Sequence, residues 1–350
     1  MFDLQTIIRE NVKSLIPYSS ARDEFTGEKG VFLDANENPF NEPYNRYPDP
    51  LQRKVKEKLA NLKKVHPDQI FLGNGSDEAI DLLIRAFCEP HVNNIVSVHP
   101  SYGMYQVAAD INAVEFTKVF LNTDFSLDLP AIFNAINNET KLIMLCSPNN
   151  PTANSLPITE VLEIVRQFEG LVVVDEAYID FSKQESLLAY ISAYSNLIVL
   201  QTFSKAWGMA ALRMGIAFAS ADIIHILNKI KYPYNINKIT QELVLRALDN
   251  ESVKNKRVRK ILSQRDKLIK KISGLKTVLT IYPSDANFIL VKVADTQKLY
   301  NYLLNQKIII RDRSKIQHCE GCLRITIGRK SENKILFHAW AQFDKETLTN

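Results

Sequence analysis

Runs of consecutive apolar residues, each ending in polar or charged residues, are the feature that most limits how this chain can fold. The clearest runs are 95–98, 141–146, 171–174 and 197–200, and helix-like stretches such as 158–168 separate them. Strands that are apolar without alternation are buried on both faces, which is typical of a mainly parallel sheet covered by helices on both sides. We therefore predict an α/β fold whose ligands bind at the carboxyl ends of the strands.

Lys205 follows the last of these runs, after the turn-like residues 201–204. Residues 206–212 lack strand formers, so a helix is predicted to begin just after this lysine. Burial would lower the pKa of the Lys205 amine and make it a nucleophile toward carbonyl compounds. A lone lysine at such a turn is more often a surface residue whose aliphatic stem lies along apolar neighbours. The functional interpretation therefore depends on the other strand ends.

Asp175 ends the run 171–174, and Tyr178 follows three residues later. The carboxylate could serve only as a helix N-cap. However, Asp175 and Lys205 are thirty residues apart, about one βα unit, which predicts that they emerge from successive strands at one sheet edge. Asn150 follows a third run, between prolines that favour an extended turn.

Residues 73–75, Gly-Asn-Gly, precede a predicted helix that begins at Ser76. They resemble half of a dinucleotide-binding GxGxxG motif, but Glu78 stands at the third glycine position, which argues against a dinucleotide. Backbone N–H groups and the helix dipole still predict an anion site there, suited to a phosphate. Together with Tyr102 and Arg213, these strand ends provide the groups needed to hold an aromatic aldehyde that bears a phosphate.

The composition of the chain bears on whether it binds nucleic acid or a membrane. The 350 residues include 43 basic and 39 acidic side chains, a balance that gives no reason to expect a nucleic-acid or membrane partner. Residues 251–273 are basic, but a basic helix is more often a solvated face than a nucleic-acid arm. No apolar run reaches the roughly 18 residues of a membrane helix. The first residues include acids where a signal peptide would be basic, so a cytoplasmic location is expected.

The four cysteines do not form a disulfide framework. Cys319 and Cys322 form a CxxC pair beside His318, but there is no second pair to complete a zinc site. We expect no metal.

Three motifs, in their order and spacing, resemble the pyridoxal-phosphate-dependent aminotransferases of the aspartate aminotransferase fold. These motifs are SPNNPT at 147–152, DEAY at 175–178, and Ser204-Lys205 with Arg213. Within that superfamily, further segments are similar to the histidinol-phosphate aminotransferases: 17–24, 36–39, 46–48 and 321–328. The resemblance covers nearly the whole chain. It implies the fold type I of pyridoxal-phosphate enzymes, a mainly parallel seven-stranded sheet between helices with a smaller α+β domain.

The resemblance also implies three parts of the chain. Residues 36–245 would form the large domain that binds pyridoxal 5'-phosphate, and residues 246–350 would form the small domain. Residues 1–35 would form an arm that joins the small domain and the interface of a homodimer with shared active sites.

For the reacting end of the cofactor, the resemblance implies four roles. Lys205 would carry the cofactor through its amine and move the proton at the substrate's α-carbon. Asp175 would keep the pyridine nitrogen protonated. Asn150 and Tyr178 would hydrogen-bond the ring's 3-oxygen.

For the remaining contacts, Tyr102 and Ala177 would lie on the two faces of the ring. The residues implied for the phosphate are Ser76, Asp77, Thr202, Ser204 and Arg213, with Tyr47 reaching the cofactor of the partner subunit.

Arg311 and Arg324 are expected to bind the anionic ends of the substrates, because the guanidinium fork suits both carboxylate and phosphate. Tyr18 and Asn36 are the other expected substrate-binding residues. A surface ion pair is the alternative for Arg311. Where the family usually has glycine, this chain has Ala153 and Ala211, and both are expected to be tolerated.

The implied reaction transfers an amino group between glutamate and imidazole-acetol phosphate, reversibly with L-histidinol phosphate, in histidine biosynthesis. An aromatic amino acid aminotransferase is the nearest alternative, because a pocket for imidazole plus an anion is similar to one for phenyl plus carboxylate. A decarboxylase of amino-acid phosphates and a non-enzymatic binder with the same fold also remain open.

Overall fold

The computed structural model describes residues 2–18 and 30–349, and its strands form two sheets. The seven strands of the larger sheet are β1 (Ile70–Asn74), β2 (Asn94–His99), β3 (Glu115–Phe120), β4 (Thr140–Cys146), β5 (Leu171–Asp175), β6 (Leu197–Thr202) and β7 (Met214–Phe218). The four strands of the smaller sheet are β8 (Val278–Ile281), β9 (Phe288–Val293), β10 (Arg311–Asp312) and β11 (Cys322–Thr326).

The larger sheet has the strand order β1-β7-β6-β5-β4-β2-β3. Strands β2 to β6 pair in parallel, and only β7 runs antiparallel, to both β6 and β1. The prediction of a mainly parallel seven-stranded sheet is confirmed. Because β1 and β6 both oppose β7, the carboxyl ends of β1, β2, β4, β5 and β6 lie at the same edge, and the first residue of β7 lies there too.

Helices cover both faces of this sheet. The helices are α1 (Leu4–Ile7), α2 (Glu10–Lys13), α3 (Arg53–Lys63), α4 (Ser76–Phe87), α5 (Met104–Ile111), α6 (Leu129–Ala135), α7 (Ile158–Gln167), α8 (Ala221–Ile230), α9 (Lys238–Leu248), α10 (Glu251–Ile272), α11 (Thr296–Asn305) and α12 (Lys330–Thr349). Along β5, Val172 and Val174 face one core while Leu171 and Val173 face the other. This two-sided burial explains why the strand is apolar at every position.

The smaller sheet is antiparallel, in the order β10-β11-β9-β8, and packs with α10, α11 and α12 around the buried Trp340. This is the α+β arrangement expected for the C-terminal part. The apolar run 308–310 together with Arg311 predicts a strand over 308–311, but only Arg311 and Asp312 pair with β11. The boundaries at residues 35 and 245 stay predictions.

Apolar residues at helical spacing in 3–15 predict one N-terminal helix, but the structure has two four-residue helices. They lie near the end of α4: the Arg9 backbone N–H donates to the Ala86 carbonyl, and the Arg9 guanidinium pairs with Glu89, just after the helix, at 2.9 Å. The motif residues 19–24 lie outside the described residues. Within the described part of the chain, no helix is both long enough and apolar enough to cross a membrane.

The prediction of a helix directly after Lys205 is wrong. The chain makes turns there, with Gly208 at a φ of +69°, and forms only one short 3-10 turn, Ala210–Leu212. Hydrogen bonds from the Phe203 N–H to the Met214 carbonyl and from the Met209 N–H to the Phe203 carbonyl fold the segment back toward β7. The absence of strand formers in residues 206–212 correctly indicated that the strand ends, but it did not indicate which structure follows.

Gly215 of β7 lies against the turn that connects β1 to α4. A Cβ atom at this position would be 2.1 Å from the Ser76 nitrogen and 2.2 Å from the Gly75 carbonyl carbon. These contacts are with backbone, which cannot move without displacing the start of α4. The glycine therefore sets how closely β7 approaches the predicted anion site.

We expect Gly215→Ala to lower the free energy of unfolding by about 1–3 kcal/mol, because the added methyl group overpacks the Gly75–Ser76 backbone. Urea unfolding followed by circular dichroism measures this difference. The control is Gly274→Ala, since the nearest atom to its added Cβ lies 3.9 Å away. Equal unfolding midpoints for the two variants would show that the close approach is unimportant.

Candidate active site

A hollow of about 150 Å³ lies at the carboxyl edge of the larger sheet. Eleven of the residues predicted from the sequence line it: Ser76, Asp77, Tyr102, Asn150, Asp175, Ala177, Tyr178, Thr202, Ser204, Lys205 and Arg213. We call it the inner hollow. Gly75, Cys146 and Ala210 complete its lining. Residues as far apart in the sequence as Gly75 and Arg213 are thus brought together by the pairing of the strands.

Lys205, Asp175 and Tyr178 share this hollow. The Lys205 Nζ lies 5.5 Å from the centroid of the Tyr178 ring. Burial is the largest cause lowering the Lys205 pKa from its ordinary value, the Arg324 charge lowers it further, and Asp175 opposes the shift. A lysine with a lowered pKa is neutral more often at a given pH, so its amine can attack a carbonyl group.

Asp175 ends β5 in the middle of the sheet and is buried. Burial raises the pKa of its carboxyl group to about 6, because the low dielectric disfavours the charged form. Two hydrogen bonds oppose that shift: the Tyr105 hydroxyl donates to Oδ2 at 3.0 Å, and the Ala177 N–H donates to Oδ1 at 3.0 Å. The carboxylate is thus fixed in orientation and would be stabilised further by a cation in the hollow.

Tyr105 is a site residue that the sequence analysis missed. It is fully buried in α5 and contacts Tyr102 edge to face, with ring centroids 5.5 Å apart. Its three-residue spacing from Tyr102 is compatible with one helix face, but nothing in the sequence connects it to an acid seventy positions away.

The predicted anion site forms the other end of the inner hollow. Helix α4 begins at Ser76 with Gly75 as its N-cap at a φ of +76°, and the Gly75 N–H donates to the Arg213 carbonyl at 2.9 Å. The Arg213 guanidinium lies 3.6 Å from the Asp77 carboxylate and is half exposed. Positive charge and the helix N-terminus therefore coincide there, as anion binding requires.

A second, more open hollow of about 440 Å³ adjoins the first and shares Tyr102, Asn150, Tyr178 and Lys205 with it. We call it the arginine cleft. Its basic lining residues are Lys118, Lys205, Arg311, Arg313 and Arg324, and in the described part of the chain no Asp or Glu lines it. The cleft thus lies between the larger sheet and the β10–β11 hairpin of the smaller sheet.

Arg311 and Arg324 are directly opposite each other in the β10–β11 pairing. Like charges at such positions repel each other, so an anion between them would be stabilising. Arg324 donates to the Asn150 side-chain oxygen, and the Asn150 amide donates to the Tyr178 hydroxyl at 3.5 Å. This series of contacts joins the arginine cleft to the inner hollow.

Arg313 is a second residue that the sequence analysis did not select. It lies two positions after Arg311, which places both on one face of an extended segment. Its Nε atom and the Nε atom of Arg324 are buried, and in the described residues neither has a hydrogen-bond partner. Strand alternation could have identified it, because the run 308–313 ends with arginines at alternate positions.

Tyr18, Asn36 and Tyr47 do not line either hollow in the single chain. Tyr18 is exposed, while Asn36 and Tyr47 line a separate surface groove. The CxxC residues Cys319 and Cys322 are buried free thiols beside the β10–β11 hairpin, and burial raises their pKa values to about 12 and about 11.

Comparison with known proteins shows the family of this chain. The model of the family "Aminotransferase class I and II" matches residues 32–339. A histidinol-phosphate aminotransferase from Parabacteroides distasonis is 56% identical over 339 residues, which cover 97% of this chain and 98% of that protein. This chain belongs to the histidinol-phosphate aminotransferase family.

Solved structures of the family share the fold. The histidinol-phosphate aminotransferase from Clostridium acetobutylicum has a TM-score of 0.80 at 22% identity, covering 87% of this chain and 92% of that chain. The enzyme from Sinorhizobium meliloti, in complex with pyridoxal-5'-phosphate, has a TM-score of 0.79 at 22% identity, covering 86% and 83%.

The family's usual glycine is replaced by Ala153 at a backbone position with a φ of +69°. Such a conformation costs a non-glycine residue roughly 1–2 kcal/mol. Ala153 is buried with Tyr178 and Phe181, so its methyl group is packed in compensation. Ala211 is exposed and has no positive φ.

The raised pKa of Asp175 predicts a pH dependence of stability. For an acid whose pKa rises on folding, the stabilisation is fully present below the unfolded value of 3.8 and is lost as the pH rises through about 6. We expect wild-type protein to gain roughly 2–3 kcal/mol relative to Asp175→Asn between neutral pH and about pH 4.

Urea unfolding of ligand-free protein at the two pH values measures this gain. The comparison with Asp175→Asn removes the contributions of all other titrating groups, since these are common to both proteins. A gap between the two proteins that is the same at both pH values would mean that Asp175 has an ordinary pKa.

Proposed function

We propose that this chain catalyses the reversible reaction of L-histidinol phosphate with 2-oxoglutarate to give imidazole-acetol phosphate and L-glutamate, a step of histidine biosynthesis. The observation that carries this proposal is that Lys205, Asp175 and Tyr178 line one hollow, which opens directly into a cleft of three arginines.

The inner hollow fits pyridoxal 5'-phosphate. One end offers the start of α4 together with Thr202, Ser204 and Arg213 for the phosphate. A buried carboxylate, Asp175, lies elsewhere in the same hollow and gains stability from a protonated ring nitrogen. Gly75, at the turn before α4, has a φ of +76°, a backbone conformation that favours glycine.

When bound, pyridoxal phosphate supplies an aldehyde that condenses with amines and a protonated ring that withdraws electrons from the substrate's α-carbon. Lys205 would be the nucleophile that holds the aldehyde between turnovers. With the substrate amine in its place, the free Lys205 Nζ would take the proton from the substrate's α-carbon and deliver it to the former aldehyde carbon, and the reverse reaction would move it back. Burial lowers the Lys205 pKa, which favours the neutral amine that both tasks require.

The other residues orient the ring. Asp175 would hold the proton at the ring nitrogen, and the Tyr105 hydroxyl, which donates to its carboxylate, would keep that carboxylate in place. Tyr178 and Asn150, which contact each other, would hydrogen-bond the ring's 3-oxygen. Tyr102 and Ala177, which both line the hollow, would contact the ring, and the Ser76 and Asp77 amides would bind its phosphate.

The arginine cleft selects the substrate. A phosphate dianion neutralises more of the charge of Arg311, Arg313 and Arg324 than a single carboxylate can. Arg324 is already oriented by Asn150, while the unpartnered Nε atoms of Arg313 and Arg324 supply further donors. This charge favours histidinol phosphate over phenylalanine, whose α-substituent is a carboxylate.

We expect kcat/KM for histidinol phosphate to exceed that for phenylalanine by at least about 100-fold, because phenylalanine leaves the charge of the partly buried Arg313 and Arg324 uncompensated. The measurement is the 2-oxoglutarate-dependent turnover of each amino donor by purified protein. A preference for phenylalanine would overturn the substrate assignment. Carbon dioxide release without a keto acid would point to a decarboxylase.

The control for this assay is Lys205→Ala, which removes the nucleophile and leaves the arginine cleft intact. It should lose turnover with every donor, together with the visible absorption of lysine-bound cofactor. Retention of both by this variant would mean that the turnover does not pass through Lys205.

We further propose that the protein is a homodimer whose subunits complete each other's sites. Large apolar side chains are exposed on two neighbouring segments: Val31, Leu33, Phe40, Tyr44, Tyr47, Tyr232 and Ile239. The segments contact each other, since Tyr47 stacks on Tyr234 with centroids 4.4 Å apart and the buried Lys231 Nζ donates to the Pro50 carbonyl at 2.9 Å. Exposed apolar surface of this kind is typical of a protein interface.

Mixing two impaired variants tests the shared site. We expect Lys205→Ala to be inactive alone and Tyr47→Ala to be weakly active alone. When the two are unfolded and refolded together, activity should return, because a mixed dimer contains one site with both wild-type residues. Activity that stays at the average of the separate proteins, with sedimentation as a monomer, would contradict the proposal.

A further inference from the structure

Helix α10 carries a stripe of basic residues that the catalytic site does not use. Lys256, Lys260 and Lys267 lie on one face with Ser263, at spacings of four, three and four residues. The other face of the helix contacts the protein: the Lys254 Nζ donates to Asp180 at 2.7 Å and lies 5.3 Å from the Trp207 ring. The stripe therefore faces away from the catalytic site.

The stripe forms one side of a groove of about 1220 Å³, which we call the basic groove. The other side is the segment that leads from β11 into α12. The basic residues that line the groove are Lys256, Arg257, Arg259, Lys260, Lys267, Arg329 and Lys330. Ile261 and Ile327 provide apolar lining, and Ser263 and Gln264 add neutral donors.

The charge of the basic groove is larger than that of the whole chain. Seven basic residues and one acid, Glu332, give a formal charge of +6, whereas the 350 residues sum to +4. Glu332 is engaged locally, since its carboxylate accepts the Arg329 N–H at 2.6 Å. Within residues 2–18 and 30–349, none of the seven basic side chains forms a salt bridge. Concave surfaces of one charge concentrate the potential and attract the opposite ion.

We propose that the basic groove binds a chain of condensed phosphates, either inorganic polyphosphate or the polyphosphate tail of a nucleotide. From Lys256 to Lys267 the helix rises about 16 Å, so the stripe can pair with several phosphates in series. Lysine ammonium groups suit phosphate as point charges. The apolar residues Ile261 and Ile327 lower the local dielectric and strengthen each pair.

A single-stranded nucleic acid fits the groove less well. Such ligands bind through aromatic side chains on which the bases stack, and none of the described residues that line the groove is aromatic. The basic groove also shares no residue with the inner hollow or the arginine cleft. Polyphosphate binding should therefore be independent of the catalytic residues.

The test is titration calorimetry of the protein loaded with pyridoxal phosphate, with tripolyphosphate as the ligand. The variant Lys256→Gln/Lys260→Gln/Lys267→Gln removes the stripe. The matched control, Lys183→Gln/Lys270→Gln/Lys307→Gln, removes three exposed charges that do not line the groove. Thermal melting of both variants confirms that each is folded.

We expect the stripe variant to bind tripolyphosphate at least about tenfold more weakly than wild type, and the control to change by less than about twofold. Equal weakening in both variants would overturn the proposal, because it would reflect net charge alone. If neither variant bound tripolyphosphate more weakly than wild type, the proposal would also be overturned.

Three further ligands test which chemical feature of the ligand the basic groove recognises. Orthophosphate should bind at least about tenfold more weakly than tripolyphosphate, and equal binding would overturn the requirement for a phosphate chain. If adenosine triphosphate binds as tightly as tripolyphosphate, the groove recognises the phosphates alone. If adenosine triphosphate binds more tightly, the natural ligand is a nucleotide. A 20-nucleotide RNA that binds more tightly than both would replace the proposal with a nucleic-acid site.

Discussion

The structure depends on one buried charge. The carboxylate of Asp175 lies at the end of the central strand β5, where burial raises its pKa to about 6. A buried carboxylate is stable only with hydrogen bonds or a cation beside it. Tyr105 and the Ala177 N–H supply the hydrogen bonds, and Lys205 supplies nearby positive charge. The hollow is thus already arranged for a protonated heteroaromatic ring before a ligand arrives, which is what electrostatic preorganisation requires.

The arginine cleft contains positive charges that repel one another. Arg311 and Arg324 are paired across two strands and Arg313 lies beside them, so their mutual repulsion is present in the folded protein. Burial and the neighbouring arginines lower the pKa values of Arg313 and Arg324, which shows that the surroundings disfavour their charge. An anionic substrate relieves this cost. The free energy of binding of an anionic substrate therefore includes the relief of this repulsion, which is already present in the folded protein.

The two sheets contribute to different parts of the site. The strand ends of the larger sheet and the segments next to them supply the residues of the inner hollow, and the β10–β11 hairpin supplies the arginines of the cleft. Tyr178 and Asn150 belong to both and transmit contacts between them. A change in the position of the smaller sheet would thus alter substrate contacts while leaving the position of Asp175 unchanged.

The sequence by itself determined the α/β fold, because strands buried on both faces must be apolar at every position. It also predicted that Lys205, Asp175 and Tyr178 lie together at the ends of successive strands, and all three line the inner hollow. It failed for the segment after Lys205, where hydrogen bonds to β7 replace the expected helix.

Only the tertiary structure decided which distant groups touch. Tyr105 reaches Asp175 across seventy positions, and Arg313 enters the cleft through the pairing of β10 with β11. Local periodicity sets the face on which a side chain lies, but its partner depends on how whole elements pack. That packing is a property of the complete chain and not of any segment.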